Sequence, residues 1–542
     1  MPRLWLPYVL SCLAAQAADG PGSRACAVCH QAIFDSYSRT PMATSSGRAG
    51  SAPVPEAYER ASFTHSATGF RYRVYADRDA LAFEFTSEDG GLHGRKTMPY
   101  YVGSGATARS YLLIDDGFAY VSPVTFYSRT RSWDLTPGYG QYGYPYLTRP
   151  VVPGCLACHA SFLAPLPNAQ NRFAAPPFAE GGIACERCHG DGTAHIAQMQ
   201  AGNFAGGLQI VNPANLAPDR RDSICSQCHL SGETRVPRPG KDWRSFVPGD
   251  RLPDSTTVFV KSGARPGITV TGHVEKLAQS ACQRASGDRL WCGTCHDPHT
   301  IPKPEERVAW FRGKCLGCHK SADCQASRTA RREMRDDCTS CHMPKAATTD
   351  ADHVVFTDHS IPRRPRVTPA AAPANAELVP FWGGEASTRD LALAYAIVGQ
   401  RERAYQPRAR ELLEKAVRES PDDVEVLLYL AELYRNSDQP APAIPLYERA
   451  IRLSPEQVTA SVGLGGILME RGQYPDAIRL WEDALEKNAG LLLVRVNLAL
   501  AYLKTGDRRS AEMHLVKAVD LSPGFAPAAD LLRRLRGQNP GQ

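Results

Sequence analysis

No apolar run in this chain of 542 residues is long enough to cross a bilayer as a helix. The longest candidate, Leu4 to Ala15, is too short, and no other stretch looks transmembrane. Charge of one sign is scarce too. The 62 Lys and Arg against 56 Asp and Glu leave a formal charge of +6. So modest a balance gives no electrostatic case for binding nucleic acid. The length allows two or three domains.

Cysteine, by contrast, is abundant, with 17 residues. Fourteen of them fall into seven copies of Cys-x-x-Cys-His. These are Cys26/Cys29/His30, Cys155/Cys158/His159, Cys185/Cys188/His189, Cys225/Cys228/His229, Cys292/Cys295/His296, Cys315/Cys318/His319 and Cys338/Cys341/His342. Chance at this composition yields roughly 0.015 such matches. The spacing marks covalent attachment of haem c, with both thiols bonded to one porphyrin and the adjacent His as proximal iron ligand. Zinc modules pair Cys-x-x-Cys with a second pair or a distant His, and need no His directly after each pair. Seven covalently attached haems are therefore expected.

The N-terminus agrees with haem attachment outside the cytoplasm. Arg3, the apolar stretch and Ala15-Gln16-Ala17 read as a signal peptide over 1–17. Export to a bacterial periplasm or cell exterior follows. Cys12 lies inside the signal, and Val9-Leu10-Ser11-Cys12 is a poor lipobox. Cys282 and Cys324 remain, as a disulfide or as two free thiols.

Residues 18–360 form the haem-bearing, Gly- and Pro-rich part. Within it, about 60–130 reads as a small antiparallel β insert. Phe70 to Tyr75 and Leu81 to Phe85 alternate, and Asp115-Asp116-Gly117 separates two strands as a hairpin turn. Gly103-Ser104-Gly105 with Arg109, and the aromatic stretch Tyr127 to Tyr146, are where a docking or substrate surface would lie. Residues 361–385 read as a linker. From 386 to 540 a 34-residue period takes over. Ala409, Ala443, Ala477 and Ala511 share one register, Ala416, Ala450, Ala484 and Ala518 another. Pro421, Pro455 and Pro523 share a third, with Ala489 at the missing place. This is the tetratricopeptide (TPR) period: an α-solenoid for partner docking or self-association, or one that packs on its own chain. The fold class expected is multidomain and mainly α.

Beyond the seven proximal histidines and His514, which sits in a repeat helix, seven histidines remain as distal ligands. They are His65, His93, His195, His273, His299, His353 and His359. His299 follows His296 too closely to reach round its own haem, so it should serve a neighbour. His195 should cross in the same way. Met42 is an alternative ligand for the first haem.

Cys-Glu-Arg-Cys-His-Gly-Asp-Gly-x-x-His, Cys-Gly-Thr-Cys-His-Asp-Pro-His and Cys-Thr-Ser-Cys-His-Met-Pro make the chain resemble the multihaem cytochrome c superfamily. That group holds tetrahaem electron carriers, pentahaem nitrite reductases and octahaem hydroxylamine oxidoreductases. The resemblance implies His195 and His299 as crossing ligands. It implies no active site, because the Cys-x-x-Cys-Lys of the nitrite reductases is missing. The favoured reading is an electron carrier between redox protein partners. The alternative is an oxidoreductase acting on a small nitrogen or sulfur oxyanion at a five-coordinate haem.

Overall fold

The computed structural model describes residues 20–50, 61–204, 207–264, 267–363 and 375–537. The expected signal peptide and Cys12 lie outside the described residues. A helix over Ser23–Tyr37 carries the first motif. Its first backbone N–H groups, which no helical carbonyl can satisfy, are taken by distant carboxylates. Gly22 N donates to Glu186 at 2.7 Å and Ser23 N donates to Glu180 at 3.0 Å.

Nine strands follow: β1 Ser46–Arg48, β2 Ser62–Thr64, β3 Arg71–Asp77, β4 Ala80–Thr86, β5 His93–Met98, β6 Tyr100–Val102, β7 Ala108–Asp115, β8 Phe118–Tyr127 and β9 Ser132–Leu135. They form a five-stranded sheet in the order β1-β6-β7-β8-β9 and a four-stranded sheet β2-β3-β4-β5. In β3, Tyr72 and Val74 point inward while Arg71 and Arg73 stay exposed, as a half-buried strand requires. Asp116 and Gly117 both take positive φ, 49° and 79°, which suits a two-residue hairpin with the right-handed strand twist. Both sheets face one core. Tyr72, Phe83 and Phe85 from one meet Tyr111, Phe126 and Trp133 from the other. The insert is therefore larger than expected from sequence. It starts at Ser46 rather than about 60, because short strands at its edges carry too few residues to show alternation.

Further on, β10 Ala160–Pro165 and β11 Phe173–Gly181 pair behind the second motif. Then come β12 Thr234–Pro237, β13 Thr256–Lys261, the small hairpin β14 Lys345–Ala347 and β15 Val355–Thr357, and β16 Leu378–Pro380. β16 completes a sheet in the order β12-β13-β16. The expected linker over 361–385 is thus part of the fold at its far end, where Leu378 is buried against the first repeat.

The C-terminal part is a TPR array. Its helices pair as Thr388–Gly399 with Gln406–Glu419, Val424–Asn436 with Pro440–Leu453, Val458–Glu470 with Tyr474–Lys487, and Leu492–Thr505 with Arg508–Leu521. Ala526–Leu535 caps the end. All eight register alanines are at most 1% exposed, since only a methyl group fits where paired helices touch. Gly465 is tighter still: a Cβ there would sit 2.4 Å from the Trp481 indole nitrogen. Gly465→Val is expected to cost the array about 1–3 kcal/mol by overpacking. A shifted denaturation midpoint of the full chain would read this out, and an unchanged midpoint would refute the close packing.

The array is bolted to the rest of the molecule at both ends. Its first helix packs on Val236 and Phe259 of β12 and β13. At the far end Tyr144 lies against Phe525, with ring centres 5.8 Å apart, and Gly490 fits under the Tyr120 ring. So Tyr144 and Tyr146 of the aromatic stretch are covered by the array, and that part of the stretch is a seat for the solenoid.

Candidate functional site

The first Cys-x-x-Cys-His lies inside the Ser23–Tyr37 helix, and the other six overlap a helix or a short helical turn. Examples are Pro153–Leu156, Glu186–His189, Pro218–His229, Cys292–Cys295 and Cys338–His342. Long-range folding brings different motifs side by side. The Cys26 and Cys185 thiols lie close enough to shift each other's protonation, as do those of Cys158 and Cys228, of Cys225 and Cys292, and of Cys315 and Cys338. Cys282 and Cys324 are both free thiols, so the disulfide alternative is not the one observed.

The imidazoles are arranged in facing pairs. His30 faces His195 with ring centres 6.5 Å apart and planes 16° apart. His189 faces His299 at 5.9 Å and 19°. His296 faces His359 at 6.3 Å, and His229 faces His273 at 5.4 Å. In each of these four contacts one member belongs to a motif and the other does not, and a fifth, His273 with His359 at 4.9 Å, joins the last two pairs into one row of rings, His229-His273-His359-His296. His195 and His299 both meet the imidazole of a different motif from the one they follow. Met42, the alternative for the first haem, is tied in through its main chain, where its carbonyl accepts a hydrogen bond from Ile183 N at 3.0 Å.

Three of the seven candidate distal histidines lie elsewhere, with no motif imidazole among their ring contacts in the described residues. His65 Nδ1 lies 2.9 Å from Thr68 Oγ1 in the turn after β2. His93 is exposed at the start of β5. His353 Nε2 lies 3.0 Å from Asp134 and its ring packs edge-on to Tyr127 at 4.9 Å. The reason is topological: all three belong to, or reach back to, the β insert, whose own core and polar edge engage them.

Burial sets the protonation of the cluster. It pushes the His273 imidazole down to about 3 and His296 down to about 4, with His359 as the next cause in each case. His159, His189 and His229 are lowered for the same first reason. At neutral pH these rings are uncharged and keep the lone pair that a metal needs. Carbonyls orient some of them: His189 Nδ1 is 2.8 Å from Val211 O, His342 Nδ1 3.0 Å from Pro362 O, and His359 Nδ1 3.0 Å from Thr357 O. The Nδ1 atoms of His159, His195 and His229 are buried with no hydrogen-bond partner among the described residues.

Two features carried no sequence signal. Arg235 Nη1 donates to Gln227 O at 2.7 Å and its Nε to Leu230 O at 2.8 Å, pinning the end of the helix that carries the fourth motif. Arg187, inside the third motif, donates to Ala157 O of the second at 3.2 Å. Arg109, a candidate surface residue, is buried at 3% exposure and staples its own loop through Gly103 O and Ser104 O.

The donor set fits a porphyrin iron better than a bare ion. Among the described residues no group of three or more His, Cys, Asp or Glu gathers to hold a metal ion. A porphyrin iron asks the protein for two axial donors only. An ion bonded at about 2 Å to one nitrogen of each imidazole would set the ring centres roughly 6 Å apart. Packing gives a second test. No residue from Ala281 to His353 is buried, although this segment carries three motifs. Side chains alone give it no core, and covalently held apolar rings would.

Comparison with known proteins bears on the array. Family models for tetratricopeptide repeats match residues 432–491 and 494–525. Similar solved structures include YrrB, described as a TPR protein with an unusual peptide-binding site, at 22% identity and TM-score 0.24, over 26% of this chain and 73% of that one. MamA is similar at 22% identity and TM-score 0.25, over 26% of this chain and 82% of that one. MamA from AMB-1 is similar at 24% identity and TM-score 0.25, over 28% and 89%. Among curated proteins there is no match.

Proposed function

We propose that the chain is an exported c-type cytochrome with seven covalent haems that passes electrons between redox protein partners. Four motif histidines, each with a non-motif imidazole beside it, two of them stacked and two in a row joined through His273 and His359, are the observation that carries this reading. Cys26 and Cys29 through Cys338 and Cys341 would hold the porphyrins, and the seven motif histidines would hold the irons from one side. His195, His299, His273 and His359 would hold four of them from the other. Bound haem would supply a reversible one-electron couple, and ligand type, burial and hydrogen bonding would tune it. The chain's own part is to fix the imidazoles as neutral donors and to keep the motifs adjacent, so that little rearrangement accompanies a change of charge.

The TPR array is the protein-interaction part, and it also braces the haem part against the β insert. We place the protein outside the cytoplasm, because haem attachment occurs there and residues 1–17 have the pattern of an export signal.

Haem content and electron paramagnetic resonance (EPR) test the reading. The full chain should carry seven thioether-linked haems, and His195→Ala should convert one low-spin signal to high-spin while haem content stays at seven. Absence of covalently bound haem would overturn the proposal. The oxidoreductase reading draws on one observation: His159, His319 and His342 have no imidazole among their ring contacts in the described residues, unlike the other four motif histidines.

A further inference from the structure

We infer that the segment from Arg307 to Arg335, which holds the sixth motif, is a docking surface for an acidic protein that carries one electron at a time. The inference rests on the haem reading above and deepens it by naming the partner's chemistry and where it binds.

Charge is not spread evenly along the chain. These 29 residues hold eight Arg and Lys against two acidic residues, Asp323 and Glu333. That excess equals the whole formal charge of +6, so the remainder of the chain is balanced. Part of the segment is tied together in space. Arg331 donates to Ser321 O at 3.3 Å and to Ser321 Oγ at 2.8 Å, which holds the turn after the sixth motif against the helix Arg328–Glu333. Lys314 and Lys320 directly flank Cys315, Cys318 and His319. A haem held by that motif would therefore lie within the positive surface.

The cations find few partners inside the molecule. Arg331 pairs with Asp336 at 2.7 Å, and among the described residues no other cation of the segment has a carboxylate within ion-pair distance. Lys320, Arg328, Arg332 and Arg335 are exposed. Arg328, Arg331 and Arg332 stand three and four residues apart on one short helix, where like charges meet at a cost in stability. Elsewhere the chain fills that spacing with opposite charges, as in Arg408 with Glu411 at 2.6 Å and Arg435 with Glu432 at 2.7 Å. A repulsive cluster with no internal counter-charge fits an external one.

Leu316 and Met334 are also exposed in this segment, at 36% and 42%. A few apolar contacts among cations suit a short-lived protein complex, in which charge steers the encounter. The helix Arg328–Glu333 has no large apolar residue with which to enter a lipid layer, so a protein is favoured over an anionic membrane. One electron would cross the surface. The carrier is oxidised by one, one ferric haem becomes ferrous, and no bond forms or breaks.

The test mixes the oxidised full-length holoprotein with flavodoxin hydroquinone, a small acidic carrier that gives up one electron as it becomes the semiquinone. Haem reduction followed by stopped flow should slow about tenfold as salt rises from about 10 to about 500 mM. At low salt Arg328→Glu/Arg332→Glu/Arg335→Glu should slow it about tenfold with seven haems retained. Arg403→Glu/Lys504→Glu/Arg509→Glu, an equal change of charge on the array, should leave it within about twofold. If the first triple variant takes up fewer than seven haems, Arg332→Gln alone should still slow reduction about twofold. An unchanged rate there would assign these cations to the haem propionates and overturn the inference. A wild-type rate indifferent to salt, or equal effects of the two triple variants, would overturn it too. So would binding to phosphatidylglycerol vesicles that the first variant loses while its reduction by flavodoxin is unchanged, which would make the surface a membrane contact. A wild type without haem would instead sink the reading beneath it.

Discussion

Made without covalent haem, the chain is expected to lose its structure between residues 281 and 353 and to keep it in the array. Ordering a residue costs about 1–2 kcal/mol in backbone entropy, and burial of apolar surface is the main force that offsets it. That segment has no buried side chain with which to offset anything. The array buries its alanines, Tyr447 and Trp481 almost completely, and the β insert does the same with Phe83, Phe126 and Tyr111. Limited proteolysis of chain expressed without the haem-attachment machinery should therefore cut within 281–353. It should leave a protected C-terminal fragment that contains the array. Amide exchange in 281–353 should approach that of an unfolded chain and should slow by orders of magnitude once haem is attached. Equal protection with and without haem would mean that the porphyrins are not the core of this segment, and the cofactor reading would lose its packing argument.

What was legible beforehand follows the range of the interactions. The 34-residue register needs only neighbouring helices, and each alanine in it proved to lie at a helix contact. The hairpin at Asp116-Gly117 is a matter of two residues and their positive φ. Even the broken register had a meaning. Ala489 replaces the expected proline where the array turns onto the β insert, and the Ala489 carbonyl accepts from both Arg495 Nε at 3.1 Å and Nη2 at 2.9 Å. The histidine partners were not legible, because the count of seven candidates for seven irons says nothing about distance. His30 meets His195 across more than 160 residues, because Glu180, Ile183, Cys185 and Glu186 are all tied to the segment of the first motif. His353 passed the count, but in the fold it belongs to Asp134.

Replacing Asp390 is expected to cost more than any other substitution at the seam between the two halves. Its carboxylate is fully buried and holds three groups: Arg238 Nη1 at 2.8 Å, Thr257 Oγ1 at 3.0 Å and Arg389 Nη1 at 2.9 Å. Arg389 also donates to Pro237 O at 2.6 Å, so the first repeat helix, β12 and β13 share one network. Asp390→Ala leaves two cations without their common acceptor, at a cost of about 3–5 kcal/mol. Arg389 still has Asp423 at 2.5 Å and Glu425 at 2.7 Å, which favours the lower part of that range. Denaturant unfolding of the full chain would measure it. The consequence should reach beyond stability. β12 spans Thr234–Pro237, and its Arg235 clamps the end of the helix that bears His229. Loosening β12 should therefore loosen the fourth motif. If the proposed haems are held by His229 with His273 and by His30 with His195, Asp390→Ala should shift the EPR signal of the first and leave that of the second alone. If both signals stay fixed while stability falls, the array is attached to the haem part without acting on it. If only the first moves, the solenoid is mechanically coupled to the fourth motif, and a partner bound to the array could alter electron flow through it.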